Sequence, residues 1–475
     1  MHDILNDTIA SAPLWAIVVT GVATLLVHAW DEKSDKPVFW IALAGIGVSA
    51  VLTIWRAPVA GTAYSGMLKT GGAASAWTLL FLVATLLTLF IAWDSLGKAA
   101  APRGEFTILV LFAVAGMIPF SAGNDLLAVF IGLEILSVSL YTLVGLTRRR
   151  FASNEAALKY FLLGAFAGGF FLYGIAFLYG AAQTTNIEDI ARRFAQSNFP
   201  VLFLTGSALL LVGLAFKTGA VPFHMWVPDV YQGAPTAVTT FLITGGKAAA
   251  FGAFVTVFTM TLGHASARFA VVIGVLALCS MVFGNIAAIP QTDIKRMLAY
   301  SSIGHAGYML IGVQTASVEG AGGVAFYLLS YILTSTGAFG VVAAMENEQG
   351  EGTRIEDFAG LGYTKPLLGA LLSLFLFSLI GIPPFSGFFA KYYIFLTAIE
   401  HGDLWLVLIG VATSVVSLYF YLRVMVVMFF RQPGENQPVP EAGAWTMIAV
   451  VLSAAGVIAL GLFPGTVLDL ITSVF

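Results

Sequence analysis

The chain has few charged residues and almost no cysteine. Charged side chains make up 10% of its 475 residues and hydrophobic residues 59%, whereas about a quarter of the residues in an ordinary soluble domain are charged. Such a chain has too little polar surface to cover itself in water. Its one cysteine, Cys279, excludes an internal disulfide and a thiolate set for zinc or an iron–sulfur cluster. We therefore expect no redox chemistry in this chain.

A large excess of charge of one sign is also missing. The net charge is -3 and the basic residues are scattered, which argues against nucleic acid as a partner. The first apolar run begins near Pro13 after an acidic start and has no small-residue cleavage site. We interpret it as a retained first helix rather than a removable signal.

Long apolar runs recur from one end of the chain to the other. Each has about 18 to 25 residues, enough to cross a hydrocarbon core of roughly 30 Å as a helix. The sequence predicts an all-α, polytopic membrane protein with about 14 transmembrane helices. The predicted spans lie near 13–30, 37–55, 75–93, 106–121, 124–146, 157–181, 200–230, 236–262, 269–289, 297–314, 322–345, 365–398, 403–430 and 443–463.

The seventh and twelfth spans contain prolines that predict broken helices. Pro222 and the pair Pro383 and Pro384 remove backbone donors in mid-span. Each break falls in the fourth span of a five-span unit, comprising spans 4–8 and spans 9–13. Because five is an odd number, two such units have opposite orientations, which predicts the inverted repeats of many secondary transporters.

These repeats divide the chain into four predicted regions. An N-terminal three-helix segment covers residues 1–105, the first five-helix repeat 106–262, the second repeat 263–430 and a C-terminal helix 431–475.

Lysine and arginine are unevenly distributed between the two predicted membrane faces. Cytoplasmic loops carry an excess of these residues, so the richer face is predicted to be cytoplasmic, with both termini periplasmic in a Gram-negative inner membrane. The richer face holds Lys33, Lys36, Lys98, Arg103, Arg148, Arg149, Arg150, Lys295, Arg296, Arg354, Lys365 and Arg431; the other holds Arg56, Lys69, Arg192, Arg193 and Arg268.

Several ionisable residues fall inside the predicted spans. A charge at bilayer depth costs at least about 2.5 to 3.5 kcal/mol on insertion scales, so each one indicates a partner or a pathway. The strongest candidates are Glu134 in span 5, Lys217 before the first break, Lys247 in span 8 and Lys391 after the second break. A static buried ion pair is the structural alternative for these four.

Three further candidates have simpler explanations beside the functional one. Lys159 is about one turn into its helix, so it can extend to the interface. His224 and His305 can be hydrogen-bonded packing residues. By contrast, Lys295 and Arg296 are interpreted as interface markers.

The residue types suit proton transfer. Burial disfavours a charged lysine and a nearby carboxylate favours it, so moving the carboxylate's charge shifts the lysine between its two forms. We hypothesise a hydrated row from Glu134 through Lys217 and Lys247 to Lys391, with His224 and His305 as connecting or gating groups.

Two long stretches carry a resemblance to a known family. Residues 213–236 include Lys217, Pro222, His224 and Asp229, and residues 284–308 include Lys295 and His305. Both are similar to the antiporter-like proton-pumping membrane subunits of respiratory complex I, the NADH:quinone oxidoreductase. Lysines at 247 and 391 resemble the N type rather than the L or M type.

The resemblance implies a function and an assembly. It implies a pumping Glu134 and Lys217, relay residues Lys247 and Lys391, and Lys159 as a modulator. The chain would be a subunit of the H+-translocating enzyme, with NADH, FMN, iron–sulfur clusters and quinone bound in other subunits and no cofactor or metal in this one. Its partners would be other membrane subunits of complex I and lipid. The alternatives are a related cation/proton antiporter subunit and a transporter of an organic substrate.

Overall fold

The computed structural model describes residues 2–99, 101–194, 201–259, 267–347, 350–434 and 440–475. These residues are almost entirely helical, because lipid offers backbone groups no other hydrogen-bond partner. The helices are α1 (His2–Ala10), α2 (Ala12–Trp30), α3 (Asp35–Arg56), α4 (Gly72–Lys98), α5 (Arg103–Ala122), α6 (Leu126–Val144), α7 (Phe151–Ala182), α8 (Ile187–Phe194), α9 (Val201–Thr218), α10 (Val227–Gly233), α11 (Thr236–Phe241), α12 (Lys247–Phe254), α13 (Ala267–Ala288), α14 (Ile294–Gln314), α15 (Val318–Met345), α16 (Leu361–Thr364), α17 (Pro366–Ile380), α18 (Ser386–Glu400), α19 (Leu404–Phe430), α20 (Ala444–Leu462) and α21 (Pro464–Thr472), with π turns at Leu242–Gly246 and Val255–Thr259 and a 3₁₀ turn at Ile355–Phe358.

The number of membrane spans agrees with the sequence prediction. In the described part of the chain, 12 helices are long and apolar enough to cross a membrane. The remaining two predicted spans are α14, whose first turn carries Lys295 and Arg296, and the twelfth span, which is divided into α17 and α18. The protein is therefore a multi-pass, all-α membrane protein with fourteen spans among the described residues.

The eighth span lies at the centre of the fold. Nearly all residues of Thr236–Thr259 are buried, and this span packs against α4, α5, α9 and α15. Because it faces protein rather than lipid, it tolerates several threonines, a glycine pair and Lys247. The predicted end of this span at 262, the connection 263–268 and the start of span 7 at 200 fall wholly or partly outside the described residues.

Both predicted helix breaks are present. Helix α9 ends at Thr218, Gly219 follows with φ +74°, and α10 begins at Val227. Helix α17 ends at Ile380, Gly381 follows with φ +89°, and α18 begins at Ser386. At both sites glycine enters the left-handed region that other residues rarely adopt. Each break leaves the last carbonyls of the preceding helix without helical donors.

The internal repeat appears as one backbone pattern built twice, 168 residues apart. Asp125 caps the start of α6 and bridges Asn186, and Asp293 caps the start of α14 and bridges Arg354. In the first copy the Thr185 hydroxyl donates to Asp125 at 2.7 Å. In the second copy the Thr353 hydroxyl donates to Asp293 at 2.6 Å. Helices α6 and α14 are the second helices of the two predicted repeats, so the copies occupy equivalent places.

The sequence carries the same duplication. Residues 185–191 read Thr-Asn-Ile-Glu-Asp-Ile-Ala and residues 353–359 read Thr-Arg-Ile-Glu-Asp-Phe-Ala. The second copy lies on the face with Lys98 and Arg150, hereafter the basic face, and the first copy lies on the opposite face. This arrangement agrees with inverted repeats. The boundaries at 105, 262 and 430 stay predictions.

A few elements were not predicted from the sequence. A short helix, α1, precedes the first span. Strands β1 (Gly61–Ala63) and β2 (Leu68–Thr70) pair antiparallel with Thr62 opposite Lys69. The amphipathic helix α8 connects spans 6 and 7. All three are too short or too polar to register as membrane spans.

Candidate functional site

Lys217 contacts a serine that lies one helical turn from Glu134. The Lys217 ammonium donates to the Ser137 hydroxyl at 2.8 Å, and Ser137 is one helical turn after Glu134 on α6, so the two share a face. Glu134 is near enough to act on Lys217 electrostatically, but in the described residues the two form no direct salt bridge. Lys217 is 8% exposed. The static ion pair considered from the sequence is therefore not what the structure shows.

Two glycines on α7 make room for the polar groups of α6. A Cβ at Gly168 would lie 3.0 Å from Glu134 Oε1, and one at Gly164 would overlap the Tyr141 hydroxyl. The small-residue pattern at these positions thus allows close helix packing and also admits a carboxylate and a phenol at the contact.

Aromatic rings surround the Lys217 ammonium. The centroids of Tyr141, Tyr160 and Phe216 lie 5.3, 5.5 and 5.8 Å from Nζ, within the range of cation–π attraction. Tyr160 stacks on Trp226, 4.5 Å away, just before α10. The ammonium is therefore held by one hydroxyl and three rings, which stabilise its charged form without a paired anion.

Lys159 belongs to a salt-bridge network rather than to this buried group. Its Nζ lies 2.8 Å from both Glu155 and Asp229, and the other oxygen of Asp229 lies 2.8 Å from Arg296 Nη1. The Lys159 side chain is 42% exposed, which fits its predicted extension towards the interface. The network joins α7, α10 and α14, so it connects the broken helix of the first repeat to the second repeat.

Lys247 lies at the centre of the protein, directly after a π turn. It is 3% exposed, its Nζ donates to the Ser302 carbonyl at 2.6 Å, and the Tyr331 ring lies 5.9 Å away. A π turn widens a helix locally and leaves backbone groups incompletely paired, and such turns are frequent at functional sites. Sequence patterns gave no sign of it.

His305 lies near both Lys247 and Lys391. Both lysines act on it electrostatically. Its Nδ1 is 2.6 Å from the Tyr327 hydroxyl and its Nε2 is 3.4 Å from the Tyr421 hydroxyl. Tyr421 in turn hydrogen-bonds Ser301. The imidazole thus has a hydroxyl on each ring nitrogen, which is the arrangement needed to receive a proton on one side and release it on the other.

The second helix break provides the acceptors for Lys391. Its Nζ donates to the Ile380 carbonyl at 2.8 Å, to the Leu379 carbonyl at 3.2 Å and to the Ser414 hydroxyl at 2.7 Å. The two carbonyls end α17, where the helix has no donors of its own for them. The Tyr308 ring lies 4.9 Å away. Lys391 is 6% exposed, so the break holds a cation inside the protein.

His224, like Lys159, is a predicted candidate that the described contacts do not bring into the row. Its ring lies 4.6 Å from Phe283 on α13. Its Nδ1 is buried with no hydrogen-bond partner among the described residues.

Several polar residues of the site were missed in the sequence. Ser137, Ser302, Ser414 and Tyr421 contact the candidate groups, but no sequence pattern shows which helix faces meet. Arg423, within the apolar run of α19, was overlooked although an arginine in such a run is a signal in itself. Its guanidinium donates to the carbonyls of Ile289 and Gln291, and it therefore secures the end of α13. Lys295, interpreted as an interface marker, is buried and donates to the Ala234 carbonyl at 2.7 Å.

The chain resembles known proteins over nearly its whole length. Residues 123–417 match the family described as NADH:quinone oxidoreductase/Mrp antiporter, TM. Among curated relatives, NADH-quinone oxidoreductase subunit N 1 of Chloroherpeton thalassium is 44% identical, with 98% of each chain covered. The protein of the same name from Solibacter usitatus is 41% identical over 96% of this chain and 95% of that protein.

Solved structures give the same result for the fold. A chain of respiratory complex I from Thermus thermophilus superposes with a TM-score of 0.84 at 36% identity, covering 96% of this chain and 98% of that one. A chain of the Mrp complex from Dietzia sp. DQ12-45-1b superposes with a TM-score of 0.88 at 21% identity, covering 98% and 97%. The second likeness concerns the fold alone.

Proposed function

We propose that this chain, which belongs to the NADH:quinone oxidoreductase/Mrp antiporter transmembrane family, is the proton-translocating N-type subunit of an NADH:quinone oxidoreductase. It is part of an enzyme complex and carries out no redox chemistry itself. Oxidation of NADH and reduction of quinone take place in other subunits and drive charge rearrangement here. The observation that carries the proposal is the buried set of lysines at the helix breaks, in a chain 44% identical to an N subunit over 98% of its length.

Proton transfer is assigned to the ionisable residues of the spans. Glu134 and Lys217 form the primary exchange pair, and Ser137 is the hydrogen-bond partner of Lys217. Lys247, His305 and Lys391 form the relay in the second half. Support comes from the burial of the three lysines and His305 and from the partners of the lysines, because each amine rests on carbonyls, hydroxyls or rings rather than on a fixed anion. Such partners allow a lysine to be neutral as well as charged.

Lys159 and His224 are assigned accessory roles. Lys159 holds Asp229 of the broken helix in place and so adjusts the position of the primary pair. His224, with its buried and unpaired Nδ1, can bind water at the first break.

Membership of the family supports the assembly and location that we propose. The partners are other membrane subunits of complex I together with lipid, and the cofactors NADH, FMN, iron–sulfur clusters and quinone are placed outside this chain. The membrane is the bacterial inner membrane, and the excess of lysine and arginine on the basic face assigns that face to the cytoplasm.

A cation/proton antiporter subunit is the second candidate. The superposition on the Mrp chain favours it, but at 21% identity that likeness concerns only the fold. The much higher identity to N subunits favours the first proposal. A deletion strain separates the two: salt sensitivity is expected of an antiporter, and loss of coupled NADH oxidation is expected of a complex I subunit.

Co-purification tests the proposal directly. A tagged chain extracted in mild detergent should bring down subunits that contain flavin and iron–sulfur clusters, detected by their absorbance and by NADH:ferricyanide reductase activity. An untagged strain processed in parallel is the control. A complex that lacks both cofactors would contradict the proposal and support the antiporter.

A further inference from the structure

Two adjoining cavities lie on the basic face beside the carboxyl end of α15. The larger, of about 320 Å³, is lined by polar and charged side chains including Asp94, Lys98 and Glu441. The smaller, of about 20 Å³, is lined by Thr147, Thr236 and Glu346 among others. Ser95 and Ala343 line both. The two cavities are therefore neighbours, the larger opening outwards and the smaller lying deeper.

Glu346 is a buried carboxylate at the inner cavity. It follows the last residue of α15 and is 8% exposed. Arg150 Nη1 lies 3.7 Å from its Oε1. That oxygen, and the hydroxyls of Thr147 and Thr236, are buried with no hydrogen-bond partner among the described residues. Buried polar atoms in native proteins nearly always have a protein or water partner, and a cavity of this size accommodates about one water. All three oxygens belong to residues that line this cavity, so a water bound there would have polar partners.

Hydroxyl groups continue from this cavity towards Lys247. Thr236, Thr240 and Thr244, hereafter the threonine stripe, lie four residues apart on the buried eighth span, so they share one face. The Thr240 hydroxyl donates to the Thr236 carbonyl and the Thr244 hydroxyl to the Thr240 carbonyl, which leaves the lone pairs of both hydroxyls free to accept.

The spacing of the stripe suits a chain of single waters. Four helical residues rise about 6 Å, and two hydrogen bonds of roughly 2.8 Å to one water cover nearly the same distance. Lys247 comes three residues after Thr244, directly behind the π turn Leu242–Gly246. The stripe therefore reaches from the cavity of Glu346 to the central lysine.

We propose that Glu346 takes protons from the cytoplasm and passes them along the threonine stripe to Lys247. This inference depends on the proposed function and names the uptake route of the same pathway. Water on the basic face protonates the carboxylate; the carboxylic acid then gives its proton to the water of the inner cavity and returns to carboxylate. Each threonine hydroxyl accepts a proton from the water on one side and releases its own hydrogen, which in Thr240 and Thr244 otherwise bonds a backbone carbonyl, to the water on the other side. The net result is one proton delivered to the neutral Lys247 amine.

Substitution of Glu346 tests the route in the assembled complex. Inverted membrane vesicles energised with NADH report proton uptake by quenching of a pH-sensitive acridine dye, normalised to NADH:ferricyanide reductase activity. Glu346→Gln is expected to lower the initial rate roughly tenfold, the loss that corresponds to one charge-assisted hydrogen bond. Glu346→Asp should recover most of the rate, because it retains a carboxylate.

Controls distinguish this inference from the proposed function. Glu319→Gln removes an exposed carboxylate at the opposite end of the same helix and should leave pumping unchanged. Lys217→Ala is measured in parallel. If Lys217→Ala loses proton pumping while Glu346→Gln pumps at the full rate, the uptake route is overturned and the proposed function of the chain is retained. Equal loss in Glu346→Asp and Glu346→Gln would indicate a packing role and also overturn it.

A thiol placed in the cavities gives an independent measurement. Ser95→Cys puts a cysteine where both cavities meet, and a membrane-impermeant methanethiosulfonate reagent reaches the outward-facing basic face of inverted vesicles. Modification should slow NADH-driven pumping in Ser95→Cys and not in the unsubstituted complex. Complete modification with no slowing would exclude these cavities as the route.

Discussion

Buried lysines in this chain differ from ordinary buried charges in what they contact. Lys217 has a serine and three rings, Lys247 a carbonyl, and Lys391 two carbonyls and a serine. A buried ammonium with a fixed carboxylate partner stays charged, because removing its proton would leave the carboxylate unpaired. Without such a partner, a distant or mobile charge decides the protonation state. These contacts therefore support the proton-exchange role that we propose for the three lysines.

Lys217 provides the most direct test at the residue scale. Lys217→Ala is expected to abolish or sharply reduce coupled proton pumping while the complex still assembles, measured as dye quenching normalised to NADH:ferricyanide activity. Lys217→Arg is the informative companion, since arginine keeps the charge but cannot release its proton. We expect Lys217→Arg to lose coupled proton pumping as well. Normal pumping in either variant, at a normal protein level, would refute the assigned role; Glu134→Ala should resemble Lys217→Ala.

Lys391 and Lys295 form a matched pair of buried amines. Lys391 lies at a helix break with His305 close by, whereas Lys295 donates to a single carbonyl near the basic face. Lys391→Ala should therefore impair NADH-driven proton uptake more than Lys295→Ala. The comparison requires equal amounts of assembled complex, checked by immunoblotting. The reverse order would mean that the pathway does not pass through Lys391.

Sequence alone predicted the depth of these residues but not their partners. An apolar run fixes how deep Glu134 or Lys247 lies, because a membrane-spanning helix has a known rise. It does not fix the rotation of that helix, and so the contact of Lys217 with Ser137 could not be foreseen. The link of Lys159 to Asp229 joins two helices that are far apart in sequence, and no local pattern reports it.

At the scale of elements, each repeat secures its second helix in the same way. An aspartate caps the helix, and a threonine from the connection after the third helix donates to that aspartate. The two copies lie on opposite faces, so each face has one helix start that is held by an aspartate and a threonine. The duplicated Thr-x-Ile-Glu-Asp-x-Ala segment is visible in the sequence, but the spacing of the proline breaks at Pro222 and Pro384 differs from 168 residues, so the breaks alone do not predict the register of the repeat.

The aspartate caps predict a stability effect. Asp125→Ala removes the acceptor for Leu127 N–H and for Thr185 and should destabilise the start of α6 by about 1–2 kcal/mol. Asp125→Asn should cost much less, because asparagine also caps well. Thermal inactivation of the purified complex measures both. At α14, Asp293→Ala is likewise expected to destabilise the complex more than Asp293→Asn. Equal stability of all four variants would contradict the capping role of the two aspartates.

At the scale of the whole molecule, the fold was predictable and its interior was not. Fourteen spans and two breaks follow from apolar length and proline position. The π turns before Lys247 and after Phe254 leave no such trace, because nothing in residue type separates a π turn from an α-helix. The central place of the eighth span likewise depends on how all the helices pack.

Orientation is the remaining property of the whole molecule that the sequence predicts. Because positively charged loops stay in the cytoplasm, both termini should face the periplasm. Alkaline phosphatase fused after Phe475 should be active, since it folds only in an oxidising compartment, whereas the same enzyme fused at Arg149, on the basic face, should be inactive. Equal expression of the two fusions is the necessary control. The opposite result would place Glu346 and its cavities on the periplasmic side. The route that we assign to proton uptake would then release protons to the periplasm.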